Sequence, residues 1–128
     1  MKNILNVVFA VITAFYAGAE VPVDTDVIER INSYVNTDPD SAIILCDAAL
    51  GKLPEHATPE LVSLLSIRGN ASFTLGDYPA AIADFGQAVR LAEELSDTVA
   101  CVNALSDLGV AYRVSQQPDS SLICYNRS

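Results

Sequence analysis

Positive charge is scarce in this chain, and tryptophan is absent. Seven Lys and Arg stand against 16 Asp and Glu, giving a net charge of −9 over 128 residues. No basic run occurs, so nothing suits a phosphate backbone and nucleic acid is not an expected partner. An acidic surface is also repelled by anionic membranes. Histidine occurs once, as His56 beside Glu55 in LPEHATPE. Such a pair can move protons, but no Cys or Ser nucleophile lies near it in sequence, and a solvated loop histidine is the simpler reading. No glycine-rich phosphate loop is present: Gly69 and Gly76 lack the spacing. Asp24, Asp26, Asp38 and Asp40 have neither the spacing nor the glycine turn of a calcium loop and read as solvated or helix-start acids. No catalytic residue, metal or cofactor is assigned, and a small exported enzyme is the weakest functional reading.

Cysteine is also sparse. Cys46, Cys101 and Cys124 include no C-x-x-C pair, and with one histidine they fall short of the roughly four convergent ligands of a zinc site. Three cysteines cannot all pair within one chain. Buried thiols are the main reading, ahead of a single disulfide and, last, metal ligation. Half of the residues are apolar, so a packed core is expected without staples.

The first 19 residues differ from the rest. Lys2 is the only charge before Glu20, Ile4 to Ala17 is nearly all apolar, and Ala17-Gly18-Ala19 fits an A-x-A cleavage pattern. Residues 1–19 therefore read as a signal peptide, with an uncleaved anchor as the alternative, although the run is short of the about 20 residues of a full span. Cleavage would remove Lys2 and take the net charge from −9 to −10. The mature chain is expected outside the cytoplasm, in a bacterial periplasm or extracellular, and not embedded in the membrane.

From residue 20 onward, apolar residues recur at steps of three and four, separated by turn signals. Helices are expected over Val27 to Tyr34, Ser41 to Leu50, Leu61 to Leu75, Pro79 to about Leu95, Thr98 to Val114, and from Asp119 onward. Pro59 either belongs to the loop GKLPEHATPE or opens the third helix. No segment reads as a strand, so the fold class is all-α, with short turns making successive helices antiparallel neighbours.

The segments repeat. RGNASFTLGDYPAAIADF, from Arg68, aligns with LGVAYRVSQQPDSSLICY, from Leu108, at an offset of 40. Gly69 meets Gly109, Ala71 meets Ala111, Ala81 meets Ser121, and Phe85 meets Tyr125. DPDSAIILCDAAL resembles GDYPAAIADFGQAV, with Ala42 meeting Ala81 at 39. Small Gly69, Gly109 and Ala81 would let helices approach closely, and large Phe85 and Tyr125 would fill the space between hairpins. Each hairpin buries little alone, so a stacked array is implied.

On these residues the chain resembles a tetratricopeptide repeat protein. The fullest unit, about 62–95, carries Leu65, Gly69, Ala71, Leu75-Gly76-Asp77-Tyr78, Ala81, Phe85 and Ala88. The next, about 102–128, carries Leu105, Leu108-Gly109, Tyr112, Ser121 and Tyr125 and is incomplete; a degenerate unit covers about 27–50. Arg68 departs from the pattern, since a large apolar group is usual there. Ser72 replaces the aromatic seen as Tyr112. The 40-residue spacing exceeds the family's usual about 34 and is similar to the long repeats of exported sensory regions in bacterial signalling proteins. The resemblance implies a non-enzymatic module that binds a protein or peptide across the first helix of each unit. Its groove positions would be Ser63, Ser66, Asn70, Phe73 and Thr74, then Asn103, Ser106, Val110, Arg113 and Val114, with Arg113 able to hold a carboxylate. An alternative is the N-terminal sensory part of a larger signalling protein, a sensor kinase or transcriptional regulator. The last unit, Asp119 to Ser128, is shorter than a full helix, which suggests a fragment or self-association through that unit.

Overall fold

A computed structural model describes residues 23–115. Residues 1–19, expected as a signal peptide, and the segment expected to form a further helix from Asp119, including Ser121, Cys124 and Tyr125, lie outside the described residues. Within them the chain forms five helices: α1 (Thr25–Ser33), α2 (Pro39–Leu50), α3 (Pro59–Thr74), α4 (Tyr78–Glu94) and α5 (Thr98–Val114). The last of these has the bounds read from the sequence. The others begin one or two residues earlier than apolar spacing suggested, because the true start is set by a capping side chain rather than by the first apolar residue.

Every helix begins on such a cap. Asp24, Asp38, Thr58, Asp77 and Asp97 each accept a hydrogen bond from a backbone N–H in the first turn, satisfying a donor that has no partner within the helix. Pro39 and Pro59 occupy first-turn positions, where a missing N–H costs nothing. Pro59 thus opens α3, and Asp38 and Asp77, 39 residues apart, do the same job in successive units. Asp38 also accepts from the Ser41 hydroxyl at 2.6 Å.

The turns after α3 and α4 close alike. The Asp77 N–H donates to the Ser72 carbonyl at 2.9 Å and the Gly76 N–H to Phe73; the Asp97 N–H donates to Ala92 at 3.0 Å and the Ser96 N–H to Glu93. This double closure requires a left-handed residue after the helix. Gly76 supplies it at φ +81°, whereas Ser96 adopts it at φ 55° with a side chain in place.

Packing is mainly sequential: α2 on α3, α3 on α4, α4 on α5. Second-neighbour packing occurs between α1 and α3 and between α3 and α5, with no counterpart between α2 and α4. The odd-numbered helices therefore share one side of a helical-repeat, solenoid-like domain. Among the described residues, no helix is long and apolar enough to cross a membrane.

Two buried clusters flank α3. The first joins Ile31, Tyr34 and Val35 to Ala42, Leu45, Cys46 and Ala49, and to Leu64, Ile67 and Ala71 of α3. The second joins Val62 and Leu65 to Ala81, Phe85, Ala88, Val89 and Ala92, and to Ala104, Leu105, Leu108 and Ala111 of α5. Successive faces of α3 thus serve both cores, as period 3.6 allows. Phe85 lies directly on Gly69: a Cβ there would come 2.6 Å from its Cε1. The glycine accommodates a ring within the α3–α4 contact, rather than a close approach of two backbones. Leu75, one of the residues that carry the repeat resemblance, is exposed, because it stands at the end of α3.

Candidate functional site

On the side shared by the odd-numbered helices lies an open cavity of about 320 Å³. Ile28, Glu29 and Asn32 of α1 form one wall; Val62, Ser63, Ser66 and Ile67 of α3 form the floor; Ala100, Asn103 and Asp107 of α5 form the opposite wall. A second depression, about 160 Å³, is lined by Asn70, Phe73, Phe85, Asp107 and Val110. Asp107 borders both.

Six of the ten expected groove residues line these two depressions: Ser63, Ser66 and Asn103 the larger, and Asn70, Phe73 and Val110 the smaller. They fall together because α3 and α5 present the same helical face to the same side. Thr74, Ser106, Arg113 and Val114 line neither one. Thr74 turns its hydroxyl onto the Asn70 carbonyl at 3.0 Å, Ser106 is half-buried, and Arg113 and Val114 are exposed in the last turn of α5. Phe73 also meets Tyr78 edge-on, with ring centroids 5.3 Å apart, so its position is fixed from behind.

Ile28, Glu29, Asn32, Val62, Ile67, Ala100 and Asp107 also line the larger cavity and were not expected there; of these Asp107 alone borders the smaller depression as well. It stands 40 residues after Ile67, in the same place of the repeat. An acid at a position that the previous unit fills with isoleucine is the signal that could have found it. Desolvation holds its carboxyl above the ordinary aspartate range.

A different group of charges lies at the junction of the helices. The Arg68 guanidinium donates from Nε and Nη2 to the two oxygens of Asp84, at 2.9 and 2.8 Å, and from Nη1 to Asp47 at 2.8 Å. One arginine of α3 thus ties α2 to α4. Asp84 is buried and Asp47 exposed. The hydrogen bond to Asp84, above all, raises the affinity of Arg68 for its proton. The departure of Arg68 from the repeat pattern is explained: its fork replaces an aliphatic contact with a bidentate pair.

The remaining chemistry-bearing residues do not converge. His56 and Glu55 are exposed in the loop between α2 and α3. Cys46 and Cys101 are free thiols; burial pushes the Cys46 thiol up to about 12, which keeps it protonated and poorly nucleophilic. Among the described residues, no three His, Cys, Asp or Glu side chains are grouped to hold a metal ion. A third depression, about 250 Å³, lies between α4 and α5, lined by Ala92, Cys101, Val102 and Leu105 with Glu93, Ser96, Asp97 and Thr98.

Comparison with protein-family models, with characterised proteins and with solved structures returns no match.

Proposed function

We propose that this chain is a non-enzymatic protein-interaction module of the tetratricopeptide type, which holds an extended peptide segment along α1, α3 and α5. The single observation that carries the reading is the cavity walled by three helices from successive units, with hydroxyls, amides and short apolar side chains interleaved. Such a surface offers hydrogen bonds to a peptide backbone and shallow contacts to its side chains, which suits a segment without secondary structure of its own. The fit of Phe85 on Gly69 supports the repeat type, because it uses the two residues that the family signature pairs as large and small. The apolar run and A-x-A pattern of residues 1–19 support export of the mature chain.

Peptides selected from a displayed random 12-residue library on the full chain test this. Asn103→Trp and Ser66→Trp fill the cavity and should abolish binding of the selected peptides, with helical circular dichroism unchanged. Gln87→Trp, on exposed α4 surface, should leave it intact. Binding that survives both cavity substitutions contradicts the proposal.

A further inference from the structure

Asp107 has no evident structural job. Of the aspartates that are buried or half-buried among the described residues, Asp38 caps α2 and Asp84 holds Arg68. Asp107 is half-buried in the middle of α5, and among the described residues it accepts no hydrogen bond and forms no ion pair. Its desolvation weighs against the charged form and so against the folded chain at neutral pH. A carboxylate kept at such a position is a candidate for meeting something from outside.

Its surroundings define what that is. Among the described residues, the only charged side chains lining the two depressions are Glu29 and Asp107, and both are negative. Arg68, the cation of α3, is already held by Asp47 and Asp84, and Arg113 lines neither depression. Asn70 and Asn103 stand on either side, with neutral polar groups that bond backbone as readily as side chain. A peptide carboxylate would meet repulsion here and no compensating donor of full charge. The carboxylate-holding role expected of Arg113 therefore does not suit this cavity.

We propose that the occupant of the cavity is a basic peptide, one Lys or Arg of which places its charge against Asp107 while Glu29 attracts a second cation nearer α1. This rests on the peptide-binding reading above and adds the sign of the ligand. The overall excess of acid in the chain favours the same partner by steering its approach.

The displayed library decides it. Peptides enriched on the full chain should carry Lys or Arg at one fixed register position. Asp107→Asn, which removes charge without removing volume, should weaken them about tenfold, in the range of one charge-assisted hydrogen bond. Asp107→Lys should turn the enriched position acidic. Circular dichroism checks that both variants remain folded; Asp107→Asn relieves a desolvated charge and should melt no lower than the parent. The inference is overturned, and the peptide-binding reading kept, if the enriched peptides lack a fixed cation, or if Asp107→Asn binds them equally while Asn103→Trp does not. Peptides that bind both Asn103→Trp and Ser66→Trp as well as the parent overturn both, as does a selection that enriches nothing.

Discussion

On the side facing α1 and α2, α3 is held mainly by aliphatic side chains together with Tyr34; on the side facing α4 and α5 it is held by an aromatic ring seated on a glycine, and Arg68 of α3 ties α2 to α4. The first core has Cys46 where the second has Phe85, at the 39-residue offset. Cys46 is fully buried but small, so the first core is filled mainly by Ile31, Tyr34, Leu45 and Leu64. The second concentrates its volume in one ring. Two units built on one pattern thus reach close packing by different routes. The difference teaches that a repeat specifies where a large group can go, while neighbouring residues decide whether it is needed.

The largest effect should come from breaking the ring–glycine side. Phe85→Ala is expected to cost about 3–5 kcal/mol, since the ring is 1% exposed and its loss leaves a cavity. Gly69→Ala approaches the same contact from the other partner and should cost about 1–3 kcal/mol by overpacking. Combining Gly69→Ala with Phe85→Leu should cost less than the two single changes together, because the smaller side chain makes room for the new methyl group. Urea unfolding of the four proteins measures the coupling; additive costs would mean that the ring and the glycine do not share a contact.

Next in size is the ionic tie. Arg68→Met keeps the aliphatic stem and leaves Asp84 buried without its partner, at a cost of about 2 kcal/mol. Changing Asp84 to Leu in the same chain should recover most of the loss, because both polar partners are then gone. Asp47→Asn should cost less than about 1 kcal/mol, its carboxylate being exposed. Thermal melts of these three variants rank the two ion pairs of Arg68; equal costs for losing Asp47 and losing Arg68 would show that burial of Asp84 is not what makes the tie matter.

The smallest effect compares the two turns. Ser96 carries a side chain in the left-handed conformation that Gly76 adopts freely. Ser96→Gly should stabilise by about 0.5–1 kcal/mol, and Gly76→Ser should destabilise by a similar amount. A Ser96→Gly chain that melts no higher than the parent would mean that the serine compensates for its strained backbone.

Much of the architecture could be read from residue order alone. Gly76-Asp77 and the prolines mark turns by their own backbone restrictions, and apolar spacing marks helix faces, so the five described helices and the burial of Leu65, Ala81, Phe85, Ala88, Leu105 and Leu108 were all legible. Ser96 was not read as a left-handed turn residue, because serine rarely adopts that conformation and the closure depends on backbone bonds to Ala92 and Glu93. Arg68 was visible as an anomaly, but its partners lie 21 residues before and 16 after it, on other helices, where only the fold brings them together. Asp107 was missed for a related reason. Its meaning depends on lining two depressions at once, and a helix face read in isolation shows an ordinary acid. In each unit, one position that the other fills with an aliphatic residue carries a charge: Arg68 against Leu108, and Asp107 against Ile67. The first charge is satisfied inside the molecule, and the second is left facing the cavity.

Amide chemical-shift mapping of the full chain during titration with a library-selected peptide tests the proposed binding surface most directly. The account predicts shifts concentrated at Ile28–Asn32, Val62–Ile67 and Ala100–Asp107, on the shared side of α1, α3 and α5, with α2 and the outer face of α4 unmoved. Shifts confined to α2 and α4, or to the α4–α5 depression around Ala92 and Val102, would contradict it.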